Sequence, residues 1–275
     1  MENLPGGVCR PHAEWWTSAF GMQRFNGVTY ARALEFLGGL GRFGMRPGLE
    51  TTLRLAGLAG HPQRPLRFAH VAGTNGKGST CAMLESICRA AGHRVGLYTS
   101  PHLVRMGERV QVDRKPIPDD DLARLVGGLA DAVACENSRH PELPRLEPTF
   151  FEFITVVALR FFAEQRCDVV IWETGLGGRL DATNIITPLA SVITNIGWDQ
   201  QQWLGNSLAS IASEKAGIIK PGIPVITGAD NAEALGVIQR RAASLGSPLT
   251  VVTAAARGAG DGMRIPLRGR HQELN

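Results

Sequence analysis

Apolar residues follow two spacings along the chain, one typical of helices and one typical of buried strands. Helical spacing, with apolar residues recurring every three or four positions, predicts helices at 28–40, 49–59, 78–91, 118–137, 148–165, 207–219 and 231–245. Short apolar runs predict strands at 67–73, 94–100, 167–174, 191–196, 224–227 and 248–253. Because strands alternate with helices, and the run at 167–174 is apolar on both faces, we expect a doubly wound α/β fold with a mainly parallel sheet.

The domain boundaries are predicted from where this periodicity starts and stops. We expect residues 28–265 to form one domain. Residues 1–27 lack clear periodicity and form an extension of unknown role, with neither a basic-then-apolar nor an Arg- and Ser-rich leader. The Ala/Gly-rich piece 254–262 predicts a loop, and residues 266–275 add no further element.

Composition and charge exclude two classes of partner. The net charge is +4 and the pI about 9.0, but the basic residues are scattered and are not interleaved with aromatic residues, so nucleic acid is not predicted. No apolar run approaches the ~20 residues that span a bilayer, so no membrane partner is predicted. The five cysteines form no CxxC pair. We expect most of them to be reduced, as in a cytoplasmic protein.

A glycine-rich segment between a predicted strand and a predicted helix carries the strongest functional signal. Residues 73–80 read GTNGKGST, in which glycines let successive backbone N–H groups face phosphate oxygens while the helix start and Lys77 supply positive charge. Only four of the 29 basic residues are lysines, which draws attention to Lys77 and Lys215. The pattern differs from GxxxxGK[ST] by Gly78, inserted before the hydroxyl residue Ser79. It predicts a nucleotide-phosphate site formed by Thr74, Asn75, Gly76, Lys77, Gly78 and Ser79.

A carboxylate lies at the carboxyl end of the strand that is expected to be central. Glu173 begins the segment ETGLGGRLDATN, and a carboxylate at the carboxyl end of a parallel strand, beside a nucleotide loop, is well placed to hold Mg²⁺. The alternative is an ordinary loop or helix-capping carboxylate. The glycines that follow favour a ligand site.

Taken together, these segments resemble the dihydrofolate synthase/folylpolyglutamate synthase family of the Mur ligase superfamily. Besides AGTNGKGST and ETGLGGRLDATN, the resemblance rests on YTSPHL at 98–103, TFFE at 149–152, EKAGIIKPG at 214–222 and GRHQELN at 269–275. It extends over about residues 28–275. It implies an ATP-binding domain like the central domain of Mur ligases, followed at 266–275 by the start of an interdomain linker. The family's C-terminal, glutamate-binding domain would be missing.

The resemblance also implies roles for individual residues. Lys77, Glu173 and Lys215 would be catalytic, with Lys215 carbamylated as in related enzymes; by itself, Lys215 is an ordinary lysine at a helix end. Ser100 and Glu173 would bind magnesium, and the closing Asn275 would contact ATP. The pterin would contact Thr149, Phe150, Phe151, Glu152 and Leu180. For Phe150 and Phe151 the alternative is a place in the core of the predicted helix.

One residue departs from the family pattern. Gln200 stands where the family has a histidine that completes a second magnesium site, and an amide oxygen is a weaker and differently shaped ligand than imidazole.

The implied activity is an ATP-dependent amide ligase that adds L-glutamate to dihydropteroate or folate through an acyl phosphate, in a monomer that uses Mg²⁺. One alternative is a nucleotide- or pterin-binding domain without ligase turnover. A Mur-type ligase acting on a cell-wall precursor would share the nucleotide loop and the lysine motif but not TFFE or GLGGRLDATN. A generic nucleotide triphosphatase explains only the loop at 73–80.

Overall fold

The computed structural model describes residues 28–41, 48–198, 206–252 and residue 272. The predicted extension at 1–27, Gln200, Asn275 and, apart from Gln272, the predicted linker at 266–275 lie outside these residues. Within them the helices are α1 Tyr30–Leu40, α2 Glu50–Leu58, α3 Lys77–Ala90, α4 Asp119–Arg139, α5 Phe150–Glu164, α6 Leu208–Ala216 and α7 Ala232–Ser244. The strands are β1 Phe68–Ala72, β2 Val95–Tyr98, β3 Val110–Val112, β4 Lys115–Pro116, β5 Val169–Glu173, β6 Ala190–Ile193, β7 Val225–Thr227 and β8 Leu249–Val251.

The strands form one sheet in the order β4-β3-β2-β5-β1-β6-β7-β8. Every pair from β2 to β8 is parallel, and β3 and β4 add an antiparallel edge. The expected α/β fold with a mainly parallel sheet is therefore confirmed. In the sheet β5 and β2 lie on one side of β1, and β6, β7 and β8 lie on the other, so the direction in which strands are added reverses at β1. Ligands in such sheets bind outside the carboxyl ends of the strands at this point of reversal.

The central strands are covered on both faces. On one face Phe68 and Trp172 join Tyr98 and the apolar sides of α1, α2, α4 and α5 in the largest core cluster. Trp172 is stacked on Tyr98, with ring centroids 4.4 Å apart. On the other face the neighbouring strand residues, among them Val71 and Ile171, pack against α3. A further cluster joins α6 and α7 to β6 and β7.

The antiparallel edge was not predicted. The sequence between 101 and 117 is polar and contains prolines, so β3 and β4 carry no apolar run of their own. They form because β3 pairs with β2 and then turns tightly back. In that turn Asp113 and Arg114 have φ of 50° and 65°. The carboxylate of Asp113 also accepts a hydrogen bond from the backbone N–H of Val95 (2.9 Å), which fixes the turn to β2.

Two strands end earlier than predicted, and in both cases the residues after the strand belong to the candidate active site described below. The strand predicted to reach residue 100 ends at Tyr98, and the one predicted to reach 196 ends at Ile193. The residues that follow are mostly polar and leave the sheet to form loops: Thr99 and Ser100 after β2, and Thr194 and Asn195 after β6. No helix in the described part of the chain is both long and apolar enough to cross a bilayer. Cys81, Cys88 and Cys167 are free thiols.

A stability prediction arises at the end of α5. Arg166 follows the helix with φ of 52°, its N–H donates to the carbonyl of Ala163, and its side chain is exposed. A left-handed residue with a Cβ costs about 1–2 kcal/mol, and glycine removes that cost while adding some unfolded-state entropy. We expect Arg166→Gly to raise the free energy of unfolding by about 0.5–1 kcal/mol in urea denaturation. Arg241→Gly, inside α7, should lower it by about 1 kcal/mol; equal effects at both positions would contradict this explanation.

Candidate active site

The nucleotide loop joins the end of β1 to the start of α3. Gly76, the residue before α3, has φ of 80°, a left-handed conformation that favours glycine. The ammonium of Lys77 folds back over the loop and donates to the carbonyls of Gly73 (2.9 Å) and Thr74 (3.3 Å). The loop therefore places a positive charge and the start of a 14-residue helix at one point, the arrangement that binds phosphate groups.

The segment after β6 supports the loop from the side. Asn195 accepts hydrogen bonds from the N–H groups of Thr74 and Asn75, through its backbone carbonyl (3.0 Å) and its side-chain oxygen (2.8 Å) respectively. The N–H of Gly197 donates to the hydroxyl of Thr74 (3.0 Å). Any side chain on Gly73 would collide with the hydroxyl of Thr194. These contacts were missed from the sequence, where 191–196 was expected to continue as a strand.

Glu173 lies beside the loop at the end of β5. In the β1–β5 pairing it is level with Val71, its side chain is buried, and its Oε2 accepts a hydrogen bond from the N–H of Ser100 (2.9 Å). A methyl group on Gly78 would lie 3.8 Å from Oε1, so the carboxylate borders the start of α3. Burial raises the pKa of Glu173 to about 7, against the hydrogen bond from Ser100 and the positive charge of Lys77.

Lys215 reaches the same place from α6. Its side chain is buried, and its ammonium donates to the carbonyl of Gly73 at 2.9 Å, the oxygen that also accepts from Lys77 at 2.9 Å. The two ammonium groups therefore lie within about 6 Å of each other. Lys215 is thus not a solvated helix-end lysine, the alternative left open by the sequence.

The two glycine-containing motifs pack directly against each other. A methyl group on Gly178 would lie 2.8 Å from the carbonyl oxygen of Glu214, and one on Gly217 would collide with the backbone of Arg179. Arg179 donates its backbone N–H to the carbonyl of Glu214 (2.8 Å) and its guanidinium to the Glu214 carboxylate (2.9 Å). Glycine at both positions lets the loop after β5 lie flat on the end of α6, which connects Glu173 to Lys215.

A buried polar network lies under the loop after β5. The carboxylate of Asp181 accepts from the N–H of Leu176 (2.8 Å), the N–H of Thr183 (3.0 Å) and the hydroxyl of Thr183. Because that hydroxyl donates to Asp181, its oxygen accepts from Nε2 of His70 (3.0 Å). Trp172 donates to the Thr183 carbonyl (2.9 Å). The signal in the sequence was a histidine within the apolar run of β1, which was not singled out.

The residues expected to contact the pterin are not all exposed to a ligand. Thr149 and Glu152 cap α5 reciprocally: Thr149 Oγ1 accepts from the N–H of Glu152 (3.3 Å), and Glu152 Oε2 accepts from the N–H of Thr149 (2.7 Å). Phe151 packs where a side chain on Gly175 would stand, and Phe150 is half-buried. Leu180 is also half-buried. This segment borders the loop after β5, but its two polar side chains serve the helix start.

The donor set fits a hard cation. Ser100 and Glu173 offer a hydroxyl and a carboxylate, the oxygen ligands that Mg²⁺ takes. Glu173 is a buried carboxylate whose ionised form is destabilised by burial and would be favoured by a bound cation. No group of three His, Cys, Asp or Glu side chains that could hold a metal occurs among the described residues, and the expected third ligand, Gln200, lies outside them.

His70 gives a pH prediction. Burial and the charge of Lys220 lower the pKa of His70 to about 3, whereas an unfolded histidine titrates near 6.5. Below 6.5 the unfolded chain therefore binds a proton that the folded chain excludes, and stability is lost as the pH falls. We expect the free energy of unfolding to drop by about 2 kcal/mol more between pH 7 and pH 5 in the wild type than in His70→Gln.

Urea denaturation at the two pH values measures this difference. His93→Gln, at an exposed histidine, controls for the loss of an imidazole elsewhere. Equal pH slopes for the wild type and His70→Gln would mean that His70 is protonated in the folded protein.

The fold and site define a class: a nucleotide-binding α/β domain with two lysines and a carboxylate around one phosphate loop, as in ATP-dependent ligases. No family model matches the chain. It is 43% identical over 223 residues to a dihydrofolate synthase/folylpolyglutamate synthase of Bacillus subtilis, covering 80% of this chain and 51% of that protein. The chain belongs to the dihydrofolate synthase/folylpolyglutamate synthase family.

Solved structures agree with this assignment. An FPGS-AMPPCP-folate complex superposes with a TM-score of 0.77 at 37% identity, over 81% of this chain and 54% of that one. E. coli FolC in complex with DHPP and ADP superposes with a TM-score of 0.73 at 36% identity, over 84% and 52% of the two chains. The present chain spans about half the length of the curated relatives it matches.

Proposed function

We propose that this chain provides the ATP site and the acceptor site of a ligase that joins L-glutamate to dihydropteroate or to folate. The observation that carries the proposal is the convergence of Lys77, Lys215 and Glu173 on the mouth of one phosphate loop. Ser100 adjoins Glu173 through its backbone. A nucleotide triphosphatase without an acceptor needs neither the second lysine nor the pterin-side segments.

In the proposed reaction an oxygen of the acceptor carboxylate attacks the γ-phosphorus of ATP, and the bond to the β–γ bridging oxygen breaks. ADP leaves and an acyl phosphate forms. The amine of L-glutamate then attacks the acyl carbon, inorganic phosphate leaves, and the amine loses a proton as the amide forms. The chain forms no covalent bond to substrate. It acts by positioning and by neutralising charge.

Each residue has a part in this scheme. The backbone N–H groups of residues 76–79 and the ammonium of Lys77 hold the phosphates in line with the acceptor, while Thr74 and Asn75 shape the loop by donating their N–H groups to Asn195. Ser100 and Glu173 would hold Mg²⁺, which offsets charge on the transferred phosphoryl group. Lys215, whether an ammonium or carbamylated, lies at the Gly73 carbonyl, where its charge acts on the same phosphates.

The substrate contacts are proposed on the same basis. The pterin would lie against Phe150, Phe151 and Leu180, with Thr149 and Glu152 acting through the start of α5. Gln200 is proposed to complete a second metal site, and Asn275 is proposed to complete the ATP site. We further propose a monomer in the cytoplasm with one ATP-binding domain over 28–265 and a linker from 266.

The test is incubation of the purified 275-residue chain with Mg-ATP, dihydropteroate and L-glutamate, followed by mass spectrometry of dihydrofolate and ADP. Formation of both products, in equal amounts, is the expected result. Saturable binding of Mg-ATP and dihydropteroate without product would identify the alternative, a binding domain without turnover. Failure to bind either ligand would overturn the proposal.

A further inference from the structure

Arg109 is a buried cation that the proposed chemistry leaves unused. It ends the short 3₁₀ segment Met106–Arg109 before β3, and only 8% of its surface is exposed. Its Nε donates to Nδ1 of His102 at 2.8 Å. Within 28–41, 48–198 and 206–252, its two terminal amino groups make no hydrogen bond or ion pair. These amino groups are not among the buried side-chain atoms that lack a partner, so they reach the surface of the site, where a ligand can meet them.

Three contacts fix Arg109 in place, one through its backbone and two through its guanidinium. The carbonyl of Arg109 accepts a hydrogen bond from the N–H of Thr99 (3.1 Å), the residue before Ser100. The hydrogen bond to His102 orients the plane of the group. Its carbon lies 5.2 Å from the ring centroid of Phe150, a cation–π contact. The free ends of the fork are therefore held rigidly, as a binding group requires.

The position of Arg109 relates it to both halves of the site. Its charge favours the ionised form of Glu173, and the charge of Glu173 in turn opposes the lowering of the Arg109 pKa by burial. Phe150, beneath it, belongs to the segment proposed to contact the pterin. Two neighbouring residues give the geometric link, since Thr99 donates to the carbonyl of Arg109 and Ser100 donates to Glu173. Arg109 therefore lies where the proposed metal carboxylate and the aromatic side of the acceptor site meet, and the acceptor's own carboxylate has to arrive there.

We propose that Arg109 binds the carboxylate of the acceptor substrate through its two terminal amino groups and holds it beside Glu173 for phosphorylation. This inference rests on the proposed function. A planar guanidinium donates two parallel hydrogen bonds, one to each oxygen of a carboxylate. It also supplies the counter-charge that lets an anionic acceptor approach an anionic nucleotide. A guanidinium can also bind a phosphate group of ATP. The test therefore separates binding of the acceptor carboxylate from binding of the nucleotide.

The experiment compares two acceptors, dihydropteroate and its carboxamide analogue, by calorimetric titration of the 275-residue chain. Wild-type protein should bind the carboxylate about 10- to 100-fold more tightly than the carboxamide, the range for a charged hydrogen-bonded pair. Arg109→Met, which keeps apolar contact with Phe150, should remove this preference and leave Mg-ATP affinity within about twofold. Arg109→Lys keeps the positive charge without the forked guanidinium and should retain part of the preference for the carboxylate.

Arg105→Met is the matched control. Arg105 lies four residues earlier, is exposed and is paired with Asp119 at 2.8 Å, so its replacement should leave the preference intact. Weaker Mg-ATP binding by Arg109→Met would assign Arg109 to the nucleotide and overturn the inference. The inference would also be overturned if Arg109→Met kept the wild-type preference for the carboxylate, or if it lost affinity for both acceptors equally. Wild-type protein that binds Mg-ATP but neither acceptor would overturn the proposed function itself, and this inference with it.

Discussion

Lys77→Ala is expected to weaken binding of Mg-ATP by about 100-fold and to remove the proposed ligase turnover. Its ammonium lies over the loop, where it already satisfies two backbone carbonyls and is held ready for phosphate oxygens. A charged hydrogen bond contributes about 1.5–3 kcal/mol, and a phosphate group takes more than one. The fold should survive the change, because the Gly73 carbonyl still accepts from Lys215. Titration with Mg-ATP measures the affinity, formation of dihydrofolate measures the turnover, and urea denaturation measures the stability.

Lys115→Ala provides the control for Lys77. Lys115 is an exposed lysine in β4, remote from the loop in sequence, and its loss removes the same formal charge. Nucleotide affinity should stay at the wild-type level. Equal weakening by both variants would mean that only net charge matters, and that the placement of Lys77 does not.

Gly217→Ala is expected to lower the free energy of unfolding by about 3 kcal/mol, the upper end for overpacking. The added methyl group would collide with Cα and Cβ of Arg179 and lie 2.8 Å from its backbone nitrogen. Backbone atoms cannot turn away as a side chain can, so the loop after β5 has to move off α6. Glu173 and Lys215 would then separate, and Mg-ATP binding should weaken as well. Urea denaturation and nucleotide titration measure the two effects.

Gly128→Ala is the corresponding control, at an exposed position in α4 with nothing within 4 Å of the added methyl group. Alanine is the better helix former, so stability should rise by about 0.5–1 kcal/mol. A Gly217→Ala protein as stable as the wild type would mean that the two motifs do not pack as tightly as described.

Hydrophobic periodicity predicted the helices and the parallel strands because each buries a regular apolar face. It missed β3 and β4, where strand formation depends on pairing with β2 and not on the side chains of 110–116. It also extended the strands at 94–100 and 191–196 too far. Residues such as Thr99 and Asn195 leave the sheet to bond with Arg109 and with the nucleotide loop, and an apolar run does not register such partners.

At the site, sequence reasoning predicted the residues whose chemistry is visible in isolation. Lys77, Glu173 and Lys215 stand out as charges next to glycines or strand ends, and the structure brings them together; their catalytic roles stay predictions. The role of Glu152 as partner of Thr149 in a helix cap was not predicted, although its three-residue spacing is a capping signal. His70 and Arg109 could not be found from spacing, since their partners Thr183 and His102 are defined by the fold.

The support that Asn195 and Gly197 give to the nucleotide loop has a consequence for how the protein folds. The contacts to Thr74 and Asn75 span some 120 residues of chain, so closing them is slow compared with forming the local turn. They exist only after β6 has joined β1. A fragment that ends before β6 would carry the complete glycine-rich motif and still lack its shape. In this protein the nucleotide loop takes its shape only once the sheet has assembled. The smallest part of the chain that can bind a nucleotide is therefore larger than the glycine-rich motif itself.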